Sequence, residues 1–367
     1  MPEREVIMGK EYPMLVVKPA NMKSNMEKVV AIAAEGGMKV TGVSKGFCSI
    51  PECCRAMLEA GCENIGVARA GDLKKLKAFD PSIETLLTRI PMISEAEDVA
   101  RYADISLVSG MEVMESLNEK ALACGRTLKV IIMQDIGDLR EGYYDQEEMI
   151  RDAVRVEQEM PGLMLYGVGT NFGCYGSVNP SPDKMELLTE TGEMIEARIG
   201  RKLDVYSVGG TQVLNLVPEK GLTDRINNAR CGIVSITKAP YTWEADIPDR
   251  LDTFRLRAEI IELRDKPSMP NGKMGSAALN EKRVYVDRGI RCRAIVALGR
   301  QDIGEGSDSI LPVEPGIEVL GSSSDHTILD VEDYRGELRV GGYIEFNINY
   351  VACMHLTMSS DLNIRII

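Results

Sequence analysis

The sequence predicts an α/β fold, a (β/α)8 TIM barrel over residues 1–245 with a C-terminal all-β domain over 246–367. Three observations predict it. Strand-like and helix-like segments alternate through the first two-thirds of the chain, in roughly eight units of about 25 to 30 residues, the repeat of a typical barrel. Around residue 245 the pattern changes to short alternating runs bounded by Gly, Pro and Asp. Proline and charge cluster between the two patterns, from Pro240 to Pro248.

The elements follow in order. Met14 to Val17 is a short apolar run and reads as a strand. Asn21 to Glu35 carries Met22, Met26, Val29, Val30 and Ala33 at helical spacing and stops at Gly36-Gly37. Val40 to Lys45 is the next strand. Ser49 then reads as the N-cap of a helix to Ala60, with Glu52 completing a capping box. Strands continue at Asn64 to Ala68, Thr85 to Thr88, Ile105 to Val108, Leu128 to Met133, Met164 to Gly169 and Asp204 to Val208. Helices between them span Gly71 to Phe79, Ser94 to Tyr102, Met111 to Cys124, Glu147 to Glu159 and Pro182 to Ile199, and Thr211 to Leu216 opens another. In the last third Phe254, Leu256, Ala258 and Ile260 alternate with polar neighbours. Further short runs lie at Arg293 to Leu298, Ile317 to Leu320, Thr327 to Val331 and Tyr343 to Asn349.

Composition narrows the function classes. An apolar fraction of 44% suits a globular chain with a large core. A net charge of -13 speaks against a nucleic-acid partner, which requires clustered Lys and Arg. No apolar run reaches the ~18 residues of a membrane span. The charged start, Met1-Pro2-Glu3-Arg4-Glu5, lacks a signal-peptide core, so a cytoplasmic setting is expected. Nine cysteines without a C-x-x-C pair are expected mostly as small buried residues. With only His326 and His355, no His-based metal site is expected.

The chemistry concentrates on strand ends. Lys45 closes a strand and precedes Gly46 and Phe47, at the end of a barrel where catalytic groups gather. Gly209-Gly210-Thr211 follows another strand; two glycines let backbone N–H groups approach an anion, and the Thr hydroxyl donates. Arg230-Cys231-Gly232-Ile233 occupies the next barrel position. Met133 to Gly142 leaves a strand end as a charged, Gly-punctuated loop. Singly, these are a tight turn, a surface arginine and a loop. Together they offer what pyridoxal phosphate (PLP) requires: a lysine, phosphate donors and a partner for the pyridine nitrogen.

Five segments carry a family resemblance: Ile136-Gly137-Asp138-Leu139-Arg140-Glu141-Gly142, Gly169 to Gly176, Ile226 to Ile233, Ala297 to Asp302 and Gly321 to His326. In this order they resemble the alanine racemase superfamily, the fold-type III PLP enzymes, and within it the alanine/ornithine racemase branch. The resemblance covers nearly the whole chain and implies a PLP-dependent racemase, with ornithine as the expected substrate. It implies Lys45 as the Schiff-base lysine and the acid/base on one substrate face. Arg140 matches the arginine on the phenolic-oxygen side of the cofactor. Thr211, Gly232, Ile233 and Tyr350 match its phosphate contacts. Arg230 matches the arginine facing the pyridine nitrogen; an arginine donates a hydrogen bond there and does not readily accept a proton, which favours racemisation over transamination. Asn171 stands where alanine racemases place a histidine against the ring, a departure from the pattern.

The resemblance also implies a homodimer whose sites are shared, with Asp325 and His326 in the loop that enters the partner's site. The second acid/base, a tyrosine in alanine racemases, is not preserved in the equivalent region, about 272–287. Tyr285, Asp287 and His326 are the candidates. Asp302, Asp325 and Glu141 are candidate partners for a distal substrate ammonium. Three rivals remain: a basic amino-acid decarboxylase on the same barrel, which typically pairs the pyridine nitrogen with Glu; an aldolase barrel without PLP; and a non-catalytic PLP carrier, normally a lone barrel.

Overall fold

The computed structural model describes residues 11–233, 236, 250, 252–273, 275, 285–304 and 309–367. The charged N-terminus, the expected 245/246 boundary with its Pro240 to Pro248 cluster, and much of 272–287 lie outside the described residues. The chain divides into two compact units, Ala20–Arg250 and Met1–Pro19 with Leu251–Ile367.

The first unit is a closed parallel barrel of eight strands. They are β2 (Lys39–Val43), β3 (Asn64–Val67), β4 (Thr85–Leu87), β5 (Ile105–Val108), β6 (Leu128–Met133), β7 (Leu163–Asn171), β8 (Val205–Gly209) and β9 (Asn228–Cys231), with β9 returning to β2. The helices α1 (Pro19–Glu35), α2 (Pro51–Glu59), α3 (Ala70–Phe79), α4 (Ala96–Tyr102), α5 (Met111–Ala123), α6 (Gln146–Glu159) and α7 (Pro182–Ile199) alternate with the strands.

Two element assignments differ from expectation. The apolar run Met14–Val17, β1, is not a barrel strand; it pairs with strands of the second unit. The eighth barrel strand is instead β9, whose Asn-Ala-Arg-Cys sequence reads as polar because it lines a polar part of the interior. The reason lies in the inward positions. Leu86, Ile105, Leu107, Ile131, Met133 and Val205 form one buried cluster drawn from β4, β5, β6 and β8. Since β8 and β4 are not neighbours, these side chains meet through the barrel interior. Alternation along β8 then points Ser207 inward as well.

The N-terminus of α2 also differs. Its first residue is Pro51 and its N-cap is Ile50, not Ser49. Ser49 is left-handed at φ 50, and its hydroxyl is 2.8 Å from that of Ser44. The S-x-x-E pattern that suggests a cap is used here to pin a turn.

The second unit is an eight-stranded sheet. Its strands are β10 (Phe254–Pro267), β11 (Ile290–Val296), β12 (Ile310–Pro312), β13 (Glu318–Ser322), β14 (Thr327–Asp330), β15 (Tyr343–Ile348) and β16 (Asn363–Ile366), together with β1. The order is β12-β15-β10-β11-β14-β13, with β1 against β10 and β16 against β1. Phe254, Leu256, Ala258 and Ile260 are all buried, as the alternation predicts. Leu15, Leu256 and Phe346 lie in register on three strands and are fully buried. Each such side chain contributes about 1.5–3 kcal/mol by leaving water. Two short helices, α8 (Arg300–Ile303) and α9 (Tyr350–Met358), complete the unit. Among the described residues no helix is long and apolar enough to cross a membrane.

Candidate active site

The barrel gathers its polar groups at the C-terminal ends of five consecutive strands. Lys45 follows β2, Arg140 lies in the loop after β6, Asn171 ends β7, Gly210-Thr211 follow β8, and Arg230 and Gly232 sit at the end of β9. This is the end where barrels carry their chemistry.

Lys45 opens a 3-10 turn, Lys45–Phe47, immediately after Ser44. The turn is anchored from below. Ser44 donates to Gly66 O at 3.0 Å, and Ser49 N donates back to Ser44 O at 3.1 Å. Phe47 is fully buried, and Lys75 Nζ donates to Cys48 O at 2.8 Å. Cys48 and Ser49 are both left-handed, at φ 48 and φ 50, a conformation that costs energy without glycine. The amine of Lys45 is therefore carried on a stiff turn. The side chain is accessible to solvent, yet the protein around its amine removes enough water to lower its pKa. The Arg140 charge lowers it further; Cys174 and Glu141 oppose this, and Arg230 adds to the lowering. A lysine of lowered proton affinity is the form that serves as nucleophile or base.

Arg230 is buried and held at two points. Its Nη1 donates to Ser207 Oγ at 2.6 Å and its Nη2 to Thr170 O at 2.6 Å. The chain of contacts runs on downward: Ser207 donates to Asn228 Oδ1 at 2.6 Å, and Asn228 Nδ2 to Thr41 Oγ1 at 3.1 Å. Burial brings the guanidinium down to about 10, so it stays protonated at neutral pH. Asn171 stands beside it: a Cβ on Gly209 would fall 2.2 Å from Asn171 Oδ1 and 2.4 Å from Arg230 Nη2. Glycine at 209 is what lets both side chains converge.

Arg140 pairs with the adjacent Glu141 through both carboxylate oxygens and donates through Nη1 to Cys174 Sγ at 2.9 Å. Its loop is fastened to the 173–178 loop by the buried Asp138, whose carboxylate accepts from Cys174 N at 3.2 Å and Val178 N at 3.2 Å. Burial opposes the charge on Arg140, but Glu141 and Cys174 together raise its pKa.

The two segments expected to contact a phosphate are both turns at strand ends. Gly210 adopts φ 91 and starts the turn headed by the buried Thr211. A Cβ on Gly232 would meet Val43 O at 2.7 Å, so the backbone of 232–233 lies flat against the end of β2. Ile233 continues it and is partly buried.

Apart from Glu141, the remaining predicted residues belong to the second unit. Tyr350 begins α9, whose N-cap Asn349 accepts from Ala352 N at 2.9 Å. Asp325 Oδ1 lies 2.8 Å from His326 Nδ1, and this contact holds the Asp325 carboxyl below its usual range. Tyr285 is exposed. Asp287 Oδ1 accepts from Gly289 N at 2.9 Å and from Ser268 Oγ at 3.3 Å, closing a turn. Of the candidate ammonium partners, Glu141 is engaged by Arg140, and Asp302 accepts from Gly299 N at 2.9 Å. Ser323 O and Ser324 O in turn accept from the N–H groups of Arg300 and Gln301, joining the Ala297 to Asp302 and Gly321 to His326 motifs. Five of the nine cysteines are buried, but Cys174 is exposed beside Arg140. Among the described residues no group of three metal-ligating side chains occurs.

Ser207, Thr170 and Asp138 were not foreseen from sequence. Their one signal is a polar residue within or just beyond an apolar strand.

The chain matches the alanine racemase N-terminal domain over residues 17–240. It is 33% identical over 347 residues to an ornithine racemase of Acetoanaerobium sticklandii, covering 94% of this chain and 96% of that protein. It is 35% identical over 351 residues to a lysine racemase of Thermotoga maritima, covering 95% and 96% respectively. Among solved structures, an alanine racemase of Streptomyces lavendulae superposes with a TM-score of 0.73 at 16% identity, over 96% of both chains. A D-threonine aldolase of Filomicrobium marinum reaches a TM-score of 0.69 at 16% identity, over 95% of this chain and 90% of that one; likenesses this remote speak to the fold alone. By its sequence match across most of the barrel and its kinship with two full-length racemases, the chain belongs to the alanine racemase family.

Proposed function

We propose that this protein is a PLP-dependent amino-acid racemase that interconverts the L and D forms of a basic amino acid, ornithine first. The observation that carries it is Lys45, an amine of lowered proton affinity on a stiff turn beside Arg140 and Arg230. Enzymes of the family depend on PLP, and the residues here fit that group. Gly210-Thr211 and Gly232-Ile233 supply backbone and hydroxyl donors at positions where a Cβ is disfavoured or obstructed. Arg230 offers its remaining N–H groups, and Asn171 stands next to it.

When bound, PLP would make the substrate α-proton acidic by delocalising the charge left behind. Lys45 would hold the cofactor and is the residue that moves a proton on one face of the substrate α-carbon. Arg230 stays protonated and donates only. Arg140 directs a fixed positive charge toward the Lys45 amine. A second acid/base, from Tyr285, Asp287 or His326, serves the other face, and a second copy of the chain completes the site with Asp325 and His326. The names of the two curated relatives support a substrate with a distal amine.

Incubation with PLP and L-ornithine in D2O tests this. Wild type is expected to deuterate the α-carbon and form D-ornithine. Lys45→Ala is expected to fall by about 10²–10⁴-fold. Full activity in Lys45→Ala, or carbon dioxide release without D-product, defeats the reading. Activity should also fall on dilution to monomer; a fully active monomer would remove the shared site.

A further inference from the structure

Three cations stand at one end of the barrel, and one carboxylate acts on all of them. Arg140 and Arg230 both act electrostatically on Lys45, and Glu141 acts on Lys45, Arg140 and Arg230 alike. Its geometry is specific. One oxygen accepts from Arg140 Nε and the other from Nη2, fork to fork. Immediately after it, Gly142 turns back at φ 130, where a Cβ would fall 2.4 Å from Asp135 N. The loop therefore presents cation and anion together at a fixed place. The remaining Nη1 of Arg140 reaches Cys174 Sγ, so the guanidinium is clamped between two loops.

We propose that Glu141 is a positioning residue of the racemase site: its carboxylate grips Arg140 fork to fork and clamps it against the Cys174 loop, at the barrel end that carries Lys45. The inference rests on reading Lys45 as an acid/base. The charges that act most on Lys45 are those of Arg140, Cys174, Glu141 and Arg230. Two act to strip its proton, and Glu141 is the one carboxylate among them. Glu141→Gln leaves both arginines uncompensated, so Lys45 must lose its proton at lower pH. Arg140→Gln removes a cation and frees Glu141, so Lys45 must hold its proton to higher pH.

The test is competitive labelling of Lys45 with an acid anhydride in the full-length, cofactor-free protein, read by mass spectrometry across pH. The curve is expected to move to lower pH in Glu141→Gln and to higher pH in Arg140→Gln. In the PLP-loaded enzyme, Glu141→Gln should lower kcat about tenfold, with a smaller change in KM, and shift the acid limb to lower pH. Glu141→Asp should recover most of the rate, and Glu147→Gln on α6 should behave as wild type. An unmoved labelling curve in folded Glu141→Gln, or both variants moving the same way, overturns the proposal. Should Glu141→Gln fail to fold, the direction of Arg140→Gln decides. A wild type that does not racemise sinks the proposed function but not the labelling result; a racemising wild type with an unmoved Glu141→Gln curve sinks this inference alone.

Discussion

Gly209 shows how little room the site leaves at the scale of a single residue. Its missing side chain is the space in which Asn171 and Arg230 converge. Gly209→Ala should push both side chains away, because backbone fixes the ends of β7 and β8 against each other. Racemisation is expected to fall at least about tenfold, since misplacements near 1 Å are that costly. Overpacking should also cost about 1–3 kcal/mol of stability, read from thermal unfolding. Wild-type rates in this variant would mean that the convergence of Asn171 and Arg230 has no bearing on catalysis. Ser207 works differently: it touches Arg230 from beneath and is itself held by Asn228, so the arginine's orientation is built up from the middle of the barrel.

At the scale of elements, the two loops over the barrel end are tied to one another. Asp138 ties them through the N–H groups of Cys174 and Val178, while Gly176 N donates to the Asp138 carbonyl. Asp138→Ala should release the 173–178 loop, raising amide hydrogen exchange at Cys174 and Val178 about tenfold or more, the scale of losing a charged hydrogen bond. Unchanged exchange would show that the loop is held elsewhere. Much of the element order was legible, because buried strands read as short apolar runs between helical periods. The placement of Met14–Val17 was not: four apolar residues look the same in a barrel and in the middle of a mixed sheet. β9 was not legible as a strand because its side chains serve the polar interior. Lys45 and Thr211 were legible because each follows a readable strand, whereas Arg140, Asn171 and the role of Arg230 came from the family resemblance. The groups that hold Arg230 were not legible, since Ser207 and Thr170 lie 23 and 60 residues from Arg230 and no local pattern links them.

At the scale of the whole molecule, each unit holds a buried carboxylate that must stay ionised. Glu196 in the barrel unit pays for burial but is kept below the usual range by Lys202, Leu203 N and Arg225. Asp330 in the sheet unit is likewise opposed by burial and kept low by Arg291 and Glu332 N. A carboxyl whose folded pKa is depressed contributes stability above its unfolded value, about 4, and loses it as pH falls through the folded value. Glu196→Gln and Asp330→Asn should therefore each cost about 1–3 kcal/mol at pH 7. Both deficits should shrink as pH falls below the unfolded value and through the depressed folded values, where the wild-type carboxylates also protonate. A deficit in thermal unfolding that is unchanged by pH would mean that shape, not charge, sets it. The course of the chain has one more consequence. β1 is made before the barrel, while β10 and β16, which flank it, are made after it. On the ribosome a bare apolar strand must therefore wait through the synthesis of the entire barrel, and its second edge is covered only when the last described segment emerges.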